Sequence, residues 1–131
     1  RPGRRGGEVT ATRLDKLADD YRARVEHDAE ELLAQHRAAH GPDAPIVLVH
    51  DQLHIERCPW RGVVIHPRTD GKPGAQYTDF NPVGFWGHDY YSTWIKAVTD
   101  ALWQGFTRYD PDLLETAIHS SEFTIPRVHR S

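Results

Sequence analysis

The stretch of residues 46–67, IVLVHDQLHIERCPWRGVVIHP, constrains the fold more than any other part of the chain. Its β-branched residues form dense runs at both ends, which is typical of buried strands. Residues 58–62 contain a proline and a glycine and are short enough to connect the two arms of a hairpin. The stretch is therefore predicted to be extended, and the rest of the chain has to cover it.

Side chains alternate along a strand, so this stretch is predicted to have two different faces. One parity is apolar: Val47, Val49, Leu53 and Ile55. The register that we expect pairs Leu53 with Ile65 and Ile55 with Val63 on the core side. His54, Glu56 and His66 then share the opposite, polar face, and a slip of one residue would exchange the two faces.

Helical periodicity accounts for most of the remaining chain. Apolar residues recur at intervals of three and four over residues 12–40, which predicts a long amphipathic helix ending at Gly41 and Pro42. The same spacing predicts a helix over residues 88–106, and Asp110 followed by Pro111 predicts the start of a shorter one. Residues 75–80 and 123–125 are predicted strands, and residues 81–87 an aromatic loop.

This order of elements predicts an α+β fold. A small, mainly antiparallel sheet of three or four strands should carry the long N-terminal helix and the two helices of the C-terminal half. Residues 1–11, rich in arginine and glycine, are expected to form a flexible arm, and residues 12–131 a single domain. The opening without methionine favours a trimmed start or a domain excised from a larger protein.

Charge and cysteine content exclude several classes of protein. The net charge of −3 comes from interspersed residues, so no whole-molecule field attracts nucleic acid or anionic membranes. The single cysteine, Cys58, excludes an internal disulfide, and no apolar run approaches the roughly 20 residues of a membrane span. We expect a soluble cytoplasmic protein that does not bind membranes. Contact of the N-terminal arginines with nucleic acid is the alternative to a disordered arm.

The leading hypothesis from these residues is a binding domain. Aromatic side chains in loops offer stacking area to a ring, a base or a partner loop. The predicted ligand-binding residues lie beside the histidine-rich sheet face: Trp60, Arg61, Tyr77, Phe85, Trp86 and His88. The predicted partner is a protein, or a small aromatic or nucleotide-like ligand.

The first alternative is metal-independent acid–base chemistry on a phosphodiester, as in small ribonuclease-like toxins. His54 would shuttle protons with His66, and Glu56 would orient the imidazole. Arg57 and Arg61 would stabilise the developing oxyanion. Whether the protein is an enzyme stays open on the sequence alone.

The second alternative is a zinc site formed by His50, His54 and Cys58, each four residues apart. On a helix this spacing stacks three ligands on one face, whereas on a strand it separates neighbours by roughly 13 Å. Because the stretch is predicted to be extended, no cofactor is predicted. The stripe of the N-terminal helix offers a third, structural hypothesis, in which it forms a homo-oligomer.

Overall fold

The computed structural model describes residues 2–51 and 58–124, and for residues 2–12 the backbone alone. The α+β prediction is confirmed, with five strands in place of three or four. The elements follow in the order α1 (Pro2–His40), β1 (Ile46–His50), β2 (Arg61–Pro67), β3 (Ala75–Asn81), β4 (Gly84–Tyr91), α2 (Trp94–Trp103), β5 (Arg108–Tyr109) and α3 (Leu113–Ile118).

The five strands form one antiparallel sheet in the order β4-β3-β2-β1-β5. Ile65 pairs with Ile46 and Val63 pairs with Leu48, so the register expected from the sequence is wrong. The physical reason is the run Ile46–Val49, every residue of which is buried. Pairing of this run with Val63–Ile65 buries more apolar area than the predicted pairing of residues 53–55 would, because residues 53–55 include a histidine.

Apolar residues lie on both faces of the sheet, in place of one apolar and one polar face. The helical pair α1 and α2 covers the first face, which contains Leu48, Val63 and Ile65. Phe123 and α3 cover part of the second, where Val49 and Phe80 lie. A strand buried on both sides is a continuous apolar run, which explains why alternation misjudged this stretch.

The helix predicted over residues 88–106 is wrong in its first third, because Gly84–Tyr91 forms β4. The helix α2 begins only at Trp94, where the Thr93 hydroxyl accepts a hydrogen bond from the Lys96 amide at 3.3 Å. Aromatic residues favour strands, and a hydroxyl cap favours the later start. Residues predicted as a loop, Phe85 and Trp86, therefore lie within a strand.

The helix α1 runs antiparallel to α2, since Tyr21 contacts Trp103 and the Arg37 guanidinium lies over the Trp94 ring. Its buried positions begin at Val25. The buried His36 joins this helix to the sheet: Nε2 donates to the Ala44 carbonyl at 2.9 Å, so Nδ1 accepts from the Tyr109 hydroxyl at 2.6 Å.

Within the residues described, no helix has the length and apolar character needed to cross a membrane. The helix predicted from residue 12 starts at Pro2. The side chains of the N-terminal arginines lie outside the description, so their contact with nucleic acid stays a prediction.

Candidate functional site

The strands distribute the predicted binding residues over both faces of the sheet. Arg61 has the parity of Val63, and Tyr77 pairs with Ile65, which places both residues on the face covered by α1 and α2. Trp86 joins them because its ring lies over the Arg61 guanidinium. In contrast, Trp60 and Phe85 pack on the second face, where His88 pairs with Thr78.

The first group forms what we call the Arg61 cluster, consisting of Arg61, Tyr77, Asp79 and Trp86. The Arg61 guanidinium carbon lies 4.7 Å from the centre of the Trp86 ring and 5.6 Å from that of Phe106. A guanidinium over an aromatic face is held by cation–π attraction. Its Nη2 atom is 3.6 Å from Asp79 Oδ1, an ion pair that is too long to be a good hydrogen bond.

Two buried polar atoms of this cluster form no hydrogen bond with any residue in the described part of the chain. They are Arg61 Nε and the Tyr77 hydroxyl oxygen. Burial raises the pKa of Tyr77, and the nearby Asp79 charge raises it further, so the hydroxyl stays protonated and able to donate. Unpaired buried donors are costly, and a polar ligand group reaching them would remove that cost.

Asp79 has a pKa above its usual value because burial penalises its charge more than Arg61 stabilises it. An acid with a raised folded-state pKa destabilises the fold as pH rises from its unfolded pKa through the folded one. We therefore expect Asp79→Asn to gain stability relative to the wild type as pH rises from the unfolded pKa of 3.8 through the raised folded-state pKa. Urea unfolding at several pH values measures this difference.

Asp70→Asn is the control of opposite sign. Hydrogen bonds from Arg68 hold the pKa of Asp70 below its usual value, so its stabilisation is present above the unfolded pKa and lost as pH falls. This variant should lose stability relative to the wild type as pH rises through the lowered folded-state pKa towards the unfolded pKa of 3.8, below the range in which Asp79→Asn responds. If the stability of both variants changed with pH in the same direction relative to the wild type, the opposite pKa shifts of Asp79 and Asp70 would be contradicted.

On the second face, Trp60 is a packing residue. Its ring contacts Phe80 edge-on at 5.6 Å and belongs to the cluster below α3. Phe85 contacts Phe80 and Phe123 and is about one-third exposed. These contacts give the Trp60 and Phe85 side chains a role in the core, although both were predicted as ligand-binding residues.

Of the three catalytic residues predicted for the acid–base alternative, the structure describes one, His66. His66 donates from Nδ1 to the Pro67 carbonyl at 2.8 Å and accepts at Nε2 from the Thr78 hydroxyl at 2.9 Å. His54 and Glu56 lie outside the described residues, as does Arg57. Arg61 projects from the face opposite His66, so these two residues do not share a site.

Of the three ligands predicted for a zinc site, the structure describes two, His50 and Cys58, since His54 lies outside the described residues. The His50 ring packs edge-on against Phe106 at 5.6 Å and beside Gly105. The Cys58 thiol donates to the Trp60 carbonyl at 3.3 Å. In the described ranges, no group of three His, Cys, Asp or Glu side chains is placed to hold a metal ion.

The two edges of the sheet are unlike each other. The strand β5 closes one edge with two residues, whereas β4 forms the other edge with eight. Three aromatic side chains of β4 are exposed, namely Phe85, Trp86 at 54% and Tyr90 at 45%. Among the described residues, the free edge of β4 has one backbone partner, an isolated parallel β-bridge between Gly84 and Thr124.

The depression beside β4 is smaller than the groove between the helices. It measures about 230 Å³ and borders Phe85 and Trp86, next to Asn81 and Val83. The groove, of about 600 Å³, lies between α1 and α2. In its lining Tyr91 already donates a hydrogen bond to Asp100, so these two polar groups are satisfied within the protein.

Asp79 belongs to the site but is not among the residues predicted from the sequence. Its position two residues after Tyr77 places both side chains on one face of a strand, a signal that was present in the pattern. No protein-family model, curated protein or solved structure matches the chain.

Proposed function

We propose that this protein is a binding module that recognises an extended segment of a protein partner by strand addition to β4. The observation that carries the proposal is the eight-residue edge strand with three exposed aromatic side chains. An exposed edge presents unpaired backbone donors and acceptors, which are a template for another strand. Strand addition is a general mode of peptide recognition that uses these groups.

The side chains of β4 supply selectivity beside the backbone bonds. Trp86 is half-exposed and held in place by Arg61, and Tyr90 is held in the same way by Arg68, whose guanidinium carbon lies 4.1 Å from the ring centre. Aromatic side chains ordered before binding lose little entropy when a partner covers them. They therefore suit apolar or aromatic side chains of the incoming segment.

A small nucleotide-like ligand is the less favoured occupant. The depression at Trp86 measures about 230 Å³, below the roughly 300–1,000 Å³ of typical small-molecule sites. Phosphates would also meet the ion-paired Asp79 beside Arg61, which offsets the charge of the guanidinium. An extended segment needs no deep cavity, because most of its contacts are made along the edge.

The test starts from peptides selected from a random display library on the purified protein and then resynthesised. We expect Trp86→Ala to weaken binding of these peptides about 30-fold, since a central tryptophan contributes roughly 2 kcal/mol or more. Trp103→Ala is the matched control, because Trp103 is similarly exposed at 47% but lies at the end of α2. It should bind the peptides as the wild type does.

Hydrogen exchange then locates the bound peptide. Outward-facing amides of β4 should become protected when the peptide is added, as backbone pairing requires. Equal binding by wild type and Trp86→Ala, or protection confined to other elements, would overturn the proposal. Binding of ATP or GTP that a selected peptide fails to displace would also count against it.

A further inference from the structure

Between Leu14 and Tyr21, the helix α1 carries an apolar stripe that is exposed to solvent. Leu14 is 60% exposed, Leu17 is 58% and Tyr21 is 51%. The same stripe continues into Val25 and Ala29, which are both buried, and Ala29 belongs to the core formed with the sheet and α2. The apolar face of this helix therefore extends beyond the layer that covers it.

The geometry of the helical pair explains why the stripe is uncovered. The helix α2 ends at Trp103, whose ring meets Tyr21 at 5.2 Å between ring centres. From Tyr21, α1 extends to Pro2, a distance of roughly 28 Å at about 1.5 Å per residue. An isolated helix of this size is marginal in water, so covering its apolar stripe would stabilise it.

We propose that the stripe pairs with the same stripe of a second copy of this chain in an antiparallel arrangement. With Leu14 and Tyr21 at heptad position a, Leu17 occupies position d, and Arg13 and Asp20 occupy the flanking g positions. Placing Leu14 against Leu17 of the second copy sets Arg13 of each copy opposite Asp20 of the other. The two-fold axis thus produces two identical ion pairs from one sequence.

A parallel arrangement of the two helices lacks this complementarity. Arg13 of each copy would then face Ala18 of the other instead of an acidic residue. Asp20 would lie opposite position e at Val25, which is buried within its own chain, so Asp20 would gain no basic partner. Self-complementary charges also favour a second copy over an unrelated helix, which has no reason to repeat the same spacing.

The primary test is sedimentation of the full chain over a range of concentrations. We expect a reversible dimer in the wild type and a monomer for Leu17→Glu that still unfolds cooperatively, because Leu17 is exposed and lies outside the core. Asp20→Arg should weaken dimerisation on the order of tenfold, since two weak exposed ion pairs become repulsions. The double variant Arg13→Asp, Asp20→Arg should restore it.

A cross-linking experiment determines the orientation. In a Cys58→Ser background, chains carrying Arg13→Cys or Asp20→Cys are treated with a short bismaleimide, separately and mixed. The antiparallel pair predicts a covalent dimer in the mixture and little in either single preparation. A monomeric wild type, a dimer that survives Leu17→Glu, or cross-linking within the Arg13→Cys preparation alone would overturn the proposal. None of these outcomes depends on binding at β4.

Discussion

Phe80→Ala is expected to lower the free energy of unfolding by about 3–5 kcal/mol, the usual cost of removing a fully buried aromatic ring. Phe80 has no exposed surface and lies between Trp60, at 5.6 Å, and Phe85, at 6.2 Å, between ring centres. Its removal would leave a cavity under α3 that the rigid strands β2 and β3 cannot close. Chemical denaturation of the two proteins measures the loss.

Phe85→Ala is the matched control for this ring. Phe85 belongs to the same chain of aromatic contacts but is 37% exposed, so its truncation should cost less, because less apolar area is lost and no closed cavity forms. A second check uses Gly62, because a Cβ atom there would lie 2.5 Å from the Phe80 ring. Gly62→Ala should destabilise the wild type but cost much less in the Phe80→Ala protein. Additive losses would contradict direct packing of the two residues.

Gly74→Ala is expected to lower the free energy of unfolding by roughly 2–5 kcal/mol. Two effects add: the backbone has a φ of +115°, which side chains rarely adopt, and a Cβ atom would overlap the backbone carbonyl oxygen of Tyr91. Since that oxygen belongs to β4, which is paired with β3, the clash cannot be relieved by a rotamer change. Thermal and urea unfolding both report the loss.

Gly71→Ala separates the two effects within the same turn. Gly71 has a φ of +79°, but a Cβ atom there would meet nothing within 4 Å. Only the backbone strain remains, so the loss should be about 1 kcal/mol. If Gly74→Ala costs no more than Gly71→Ala, the close approach of β3 to the end of β4 is not a constraint on the fold.

The elements that were predicted correctly are those whose sequence patterns span only a few neighbouring residues. The intervals of three and four along α1, and its end at Gly41 with a φ of +102°, follow from helix periodicity and glycine's conformational freedom. The extended arms Ile46–His50 and Arg61–Pro67 follow from β-branched runs. In β4, aromatic spacing fitted a helix equally well, and periodicity could not decide between the two.

The candidate site was predicted in part. Arg61, Tyr77 and Trp86 were named from the sequence and do lie together, whereas Trp60 was named with them and packs on the other side of the sheet. The chemistry of each side chain can be read from the sequence, but the grouping of these side chains depends on strand parity and on the irregular pairing between β3 and β4.

By itself, the sequence determined that the chain forms an α+β domain with a long first helix and extended arms near its middle, because periodicity and caps act over a few residues. Only the tertiary structure decided that Ile46 pairs with Ile65, that the second sheet face is covered in part, and that β4 is the long edge strand among the residues described. Those features depend on which segments, distant in the sequence, bury the most apolar area when they pack together. The sequence of a single segment does not show which partner it will have.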